Sequence, residues 1–313
     1  MVPPPEFESY YGRQIIKTPT WKTPDVPLYL FLGGMAGASA VLAEGAAVTG
    51  NEPLERVARI AAASGAGLGT VFLVHDLGRP ERFLHMLRVI KVTSPLSVGS
   101  FILAPFSALS SAAAASHVTG RLPRLGRLAG AGAALLGPAL ATYTAALLSN
   151  TAVPAWHEAH RELPFVFAGS GASAAGGLAM LLTPAAHNLP ARRMAIAGAA
   201  VELTAAELLK RRLGMVAEPY QQGRPGLLMR TASRMTAGAA VLSALGGRSR
   251  VVSALCGATY VSASVLTRFG VFEAGLASAR DPKYTVVPQR ERLAARAAEA
   301  AGMTSGAAGT PRG

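Results

Sequence analysis

A single cysteine in 313 residues, Cys256, excludes a disulfide framework and leaves no thiolate set for zinc or an iron–sulfur cluster. Charge is also scarce, at 15% of residues, and what there is leans one way: 30 Lys and Arg against 17 Asp and Glu, a net charge of +13. In a soluble chain that excess would point to nucleic acid. Here the basic residues fall in loops and tails between apolar blocks, the pattern that encodes membrane orientation, so a lipid bilayer is expected and nucleic acid is not. The apolar blocks have no polar face of the kind a surface helix needs, residues 129–148 being the clearest case, which argues against a soluble all-helical protein. The first 26 residues lack the basic start and apolar core of a secretory signal peptide, so the first span is expected to be retained.

Half of the residues are hydrophobic. They gather into about eight stretches near the roughly 20 residues that a helix needs to cross a bilayer: 27–49, 56–77, 97–119, 128–150, 164–183, 190–210, 232–246 and 251–273, the seventh being short. Pro, Gly, Arg and Asn clusters separate them, as loops require. The expected fold is all-α, a polytopic transmembrane helical bundle occupying residues 27–275. A polar N-terminal segment (1–26) precedes it, and a polar, partly disordered tail (276–313) with a short helix near 290–300 follows. Small-xxx-small spacings, Gly33 with Gly37 and Gly65 with Gly69, would let helix backbones approach closely where no hydrophobic effect drives them together.

Eight spans put both termini on one side. Twenty-one of the thirty basic residues belong to that side when Arg234 and Arg268 are counted with its loops, and nine, Arg56 and Arg59 among them, belong to the other. The positive-inside rule then assigns both termini to the cytoplasmic side of the cell membrane. A weak internal repeat suggests two four-helix halves. Gly78-Arg79-Pro80, followed by an amphipathic run, is echoed by Gly223-Arg224-Pro225, and each lies between the second and third helix of a half.

Three segments resemble a known family: YLFLGGMAGASAVLA in the first span, HDLGRPERFLHMLRVIKVTSPLSVGSF after the second, and TYTAALLSNTAVPAWHEAHRELPFVFAGSG around the fourth and fifth. The chain is similar over most of residues 10–275 to the quinone-handling membrane subunits of the polysulfide reductase type, the NrfD/PsrC family. The resemblance implies a subunit without haem or metal of its own. It would exchange two electrons and two protons between membrane quinone, menaquinone or ubiquinone, and a separate ferredoxin-like iron–sulfur subunit. That partner would in turn serve a catalytic subunit, often a molybdopterin enzyme.

The residues allow this to be tested. A b-type haem needs axial histidines on facing helices. Of the six, His85, His157, His160 and His187 fall in loops, while His75 and His117 lie near span ends on opposite sides. A quinone slot needs hydrogen-bond donors for two carbonyl oxygens and a proton route. Tyr143 and Asn150, seven residues apart on the fourth span, provide donors on roughly one helical face, and Tyr143 matches the fourth-span tyrosine that contacts quinone in the family. An interfacial tyrosine reaching for water is the alternative. His75 and Asp76 close the second span on the same side and suit proton transfer, unless Asp76 only ties down its loop through Arg79 or Arg82. Arg79, Glu81 and Arg82 are expected to order this loop or dock the iron–sulfur partner.

Carboxylates inside spans are costly and so become functional candidates. Glu44 and Glu202 have no basic residue within one helical turn, and they form either part of a proton path or protonated helix–helix hydrogen bonds. Glu207, with Lys210 and Arg211 at i+3 and i+4, reads as an interfacial ion pair. Two other classes of function remain at this stage, an ion-coupled secondary transporter and a passive membrane anchor.

Overall fold

In a bilayer every backbone N–H and C=O must be satisfied inside the protein, which leaves helices as the solution for a chain without strand patterning. The computed structural model describes residues 14–246 and 249–307, apart from the side chains of Arg82, Ala295 and residues 299–307. Its described residues form α1 (Asp25–Val48), α2 (Glu52–Asp76), α3 (Pro95–Thr119), α4 (Pro123–Ser149), the short α5 (Pro154–Glu158), α6 (Leu163–Leu182), α7 (Leu189–Leu213), α8 (Gly223–Gly246), α9 (Arg250–Arg280) and α10 (Lys283–Ala307), with no strand. Proline stands in the first turn of α2, α3, α4, α5, α6 and α7, where its missing N–H is not needed by the helix. Ser94 adds a side-chain cap at the start of α3, accepting from the Ser97 N–H.

Six helices, α1, α2, α3, α4, α6 and α9, are long and apolar enough to cross a membrane. The chain is a multi-pass membrane protein. The other two expected spans correspond to α7 and α8, which are long enough but carry more charge; α7 packs along α6, and α8 along α9. In the tail, α10 is longer than the expected helix at 290–300.

The repeat is visible in how helices pair. In the first half α1 packs on α2 and α4, while α3 packs on α4 and α2. In the second half α6 packs on α7 and α9, while α8 packs on α9 and α7. Gly78 and Gly223, which open the two Gly-Arg-Pro turns, both have positive φ (65° and 59°), and a 3₁₀ segment accompanies each turn. The halves meet through α1, α4 and α6. α1 is the axial element, with almost every residue from Asp25 to Ala43 buried.

Glycine sets the spacing at the contacts. A Cβ on Gly37 would lie 2.3 Å from the Gly137 carbonyl oxygen, and one on Gly137 2.4 Å from that of Gly37, so α1 and α4 touch backbone to backbone. Gly177 and Gly257 do the same for α6 and α9, as do Gly169 and Gly198 for α6 and α7. Of the two spacings read from the sequence, Gly65 sits tightly against Ala36, whereas Gly33 faces open space. Gly37→Ala should therefore destabilise the bundle by roughly 1–3 kcal/mol, through overpacking against a backbone that cannot yield. Thermal unfolding in detergent checks this, with Gly33→Ala expected to cause no loss.

Candidate functional site

The start of α1 and the ends of α2 and α4 share one end of the bundle, the near end. There the sequence N-terminal to α1 folds back over α2: the backbone N–H of Lys22 donates to Asp76 Oδ1 at 2.8 Å, and Lys22 Nζ donates to the His75 carbonyl at 3.2 Å. Asp76 thus holds the N-terminal strap. His75 Nδ1 lies 2.8 Å from Asp25 Oδ2. The carboxylate is 7% exposed and the imidazole 72%, so the pair runs from the buried end of α1 to the surface. Such a pair can carry a proton between the bundle and water. Arg79 and Glu81 are exposed on the loop beyond, and the side chain of Arg82 lies outside the described residues.

Tyr143 is buried, 8% exposed, inside the bundle. Its niche exists because α3 carries glycine opposite: a Cβ on Gly99 would stand 2.1 Å from the ring. Asn150 is exposed at the C-terminal end of α4, so seven residues of helix separate a buried donor from a surface one. Around this end the hydroxyls of Tyr29, Thr144 and Ser149 are buried without a hydrogen-bond partner. Each such orphan costs about 1–3 kcal/mol, a deficit that a ligand with carbonyl oxygens can offset. Tyr143 and the adjacent His75 and Asp76 therefore lie toward the same end of the bundle but have different neighbours, Gly99 for one and Asp25 with Lys22 for the others. Below them α5 closes the near end: Trp156 stacks on Trp21 with centroids 5.6 Å apart and donates from Nε1 to the Val271 carbonyl.

Deeper in the bundle, the two isolated carboxylates acquire arginine neighbours from other helices. Glu202 on α7 accepts from Thr267 Oγ1 at 2.8 Å and lies in the field of Arg268, both on α9. Arg268 is fully buried. Its Nε donates to the Leu30 carbonyl at 3.3 Å, its Nη2 to the Phe167 carbonyl at 2.9 Å, and the guanidinium lies 3.9 Å over the Phe167 ring. Gly34 makes room, since a Cβ there would be 2.9 Å from Nη2. Toward the opposite end, Arg59 on α2 is 4% exposed and reaches Glu44 at 3.5 Å and Glu55 at 2.7 Å, with His117 of α3 3.5 Å from Glu55. Gly130 of α4 leaves the space that this guanidinium fills.

Sequence reasoning misses Arg59, Arg268 and Asp25. It counts the first two as loop charges, although both lie within the bounds of the apolar stretches 56–77 and 251–273, and that position is the available signal. Glu207 pairs with Lys210 and Arg211 as the spacing predicts. Two histidines do meet, His157 and His160 with ring centroids 6.3 Å apart, but in the turn around α5 and not between facing spans.

A family model described as polysulphide reductase, NrfD, matches residues 16–209, from the strap before α1 to the last turns of α7. The chain belongs to the NrfD family. No curated protein matches it. NrfD proteins are membrane subunits of quinone-interacting oxidoreductase complexes, and the matched region of this NrfD protein includes the near end, Glu44, Arg59 and Glu202.

Arg268→Met removes two hydrogen bonds to helix carbonyls and the cation whose field reaches Glu202, and should destabilise the chain by roughly 3–5 kcal/mol, whereas adding Glu202→Leu should recover part of that loss, because it removes the carboxylate left uncompensated. Thermal unfolding of the single and double variants in detergent measures the difference.

Proposed function

We propose that this NrfD protein is the quinone-reactive membrane subunit of an oxidoreductase complex, passing electrons between quinone or quinol and an iron–sulfur partner docked on the near end. The observation that carries this reading is the joint placement at that end of a glycine-seated buried tyrosine, three orphan hydroxyls and a His–Asp pair leading to water. Tyr143 and the Tyr29 and Thr144 hydroxyls would donate to the ring carbonyls, and Asn150 would guard the entrance. When quinol is oxidised, two electrons leave to the partner and two protons leave through His75, Asp76 and Asp25. When quinone is reduced, the same groups supply the protons. Menaquinone and ubiquinone both fit this chemistry. Arg79, Glu81 and Arg82 are the docking residues proposed for a ferredoxin-like subunit, behind which a catalytic subunit, of molybdopterin type in many such complexes, would stand.

Glu202 and Glu44 are proposed as stations of a proton path along α1, with Arg268 and Arg59 setting their charge. Counted by helical rise, Gly34 beside Arg268 lies about 14 Å from Asp25 and Glu44 about 29 Å, so the three ionic groups are spread over the depth of the membrane. The charge count still favours both termini on the cytoplasmic side of the cell membrane. Taking Arg234 and Arg268 out of one side and Arg59 out of the other leaves nineteen against eight. The paired halves and buried carboxylates also suit an ion-coupled transporter. Uptake into liposomes by the chain alone, independent of quinone, would favour that reading.

In the assembled complex, Tyr143→Phe and Asp76→Asn should each lower quinone-linked electron transfer at least tenfold while subunit yields stay constant, since acid–base and donor groups typically contribute factors of this order or more. Unchanged turnover in both would reduce the chain to a passive anchor. Glu202→Gln should leave electron transfer to a soluble acceptor largely intact and lower the protons moved per electron, read with a pH dye in sealed vesicles.

A further inference from the structure

Among the described residues, Arg234 on α8 has no acidic partner. Arg234 is the twelfth of 24 residues in α8, about 16 Å along the axis from Gly223 and about 18 Å from Gly246. With α8 crossing a hydrocarbon core of roughly 30 Å from end to end, Arg234 stands near the middle. The two arginines before it are accounted for: Arg224 pairs with Glu273 at 3.4 Å, and Arg230 donates to the Gln221 carbonyl. Arg234 is exposed, and no carboxylate among the described residues pairs with it.

It also lies on a continuous outer ridge. Leu227, Arg234, Gly238, Val241 and Leu245 recur at seven-, four-, three- and four-residue steps, which keeps them on one face of α8. Leu227 and Val241 are each 58% exposed and Leu245 83%. A Cβ on Gly238 would meet nothing within 4 Å. Beside the ridge, Arg234 and Gly238 line a groove of about 280 Å³ whose other wall is Leu255 and Thr259 of α9.

We propose that this ridge docks a transmembrane helix of another subunit, whose Asp or Glu pairs with Arg234 near the middle of the bilayer. A cation at that depth is costly unless it is paired, and the small residue at Gly238 lets a neighbouring helix come close. A second copy of this chain does not supply the anion. Of the carboxylates in α1 to α4 and α6 to α9, Asp25, Glu44, Glu55, Asp76, Glu202, Glu207 and Glu273 are already engaged inside the chain, and Glu52 stands at the first residue of α2, at the end of the bundle rather than at mid-depth. A lipid phosphate would require the side chain to cross about half of the hydrocarbon core. The inference rests on depth, exposure and missing pairing, and stands apart from the quinone reading.

The test is photo-crosslinking in native membranes. A benzophenone amino acid is placed at Val241, and in a second variant at Leu245, and adducts are identified by peptide mass spectrometry. The expected adduct is a membrane helix of a different protein with an acidic residue near its centre. Arg234→Leu and Arg234→Glu should lower adduct yield at least tenfold without changing the amount of this chain, and Arg234→Glu should be rescued when the partner's acid becomes Lys. Adducts only to lipid, adducts only to a second copy, a partner helix without a carboxylate, or an unchanged yield with Arg234→Leu would each overturn the proposal.

Discussion

The guanidinium of Arg268 ties the two halves of this molecule together. It comes from α9 of the second half, donates to a carbonyl of α1 in the first and to a carbonyl of α6 in the second, and rests on the Phe167 ring. Helix carbonyls that already accept intrahelical bonds have a second lone pair to offer, and in an apolar interior no water competes for the donor. Such a group is tolerated only if the surrounding backbone is fixed first. Gly34 and Gly171 meet this condition, because their missing side chains let α1 and α6 close to backbone contact beside the arginine.

The same constraint recurs wherever function is proposed. Gly130 leaves a pocket for Arg59, Gly99 a niche for Tyr143, and Gly275 the space for Trp156. In each case a small residue on one helix defines a site for a large polar or aromatic side chain on another. Packing and chemistry are thus one arrangement in this bundle, and a methyl group added at these glycines would disturb a functional side chain as directly as it would disturb helix spacing.

Ionic groups are ordered by depth along α1. Asp25 faces His75 at the near end, Arg268 and Glu202 lie beside the middle, and Glu44 faces Arg59 toward the far end. Because α1 is buried along most of its length, Arg268 and Glu202 beside its middle are screened from lipid by the helices around them. Arg234 departs from this order. It lies on the outside of the bundle near the middle of α8, and no carboxylate among the described residues pairs with it.

Much of this was legible in the residues themselves. The lengths of the apolar blocks, the prolines at helix starts and the Gly-Arg-Pro echo determined an all-helical, twofold membrane bundle, because bilayer thickness and backbone hydrogen bonding leave few alternatives. The near-end grouping of His75, Asp76, Tyr143 and Asn150 followed from counting spans. Which side chains meet across helices did not. Asp76 holding Lys22, Asp25 facing His75, and Arg59 and Arg268 lying inside the bundle depend on helix rotation and spacing, which glycines distant in sequence set together. Charge composition places an arginine on a helix or in a loop; only the packing of several helices decides whether it points to water, to lipid or to a buried carboxylate, since that outcome is a property of the neighbours it does not share a segment with.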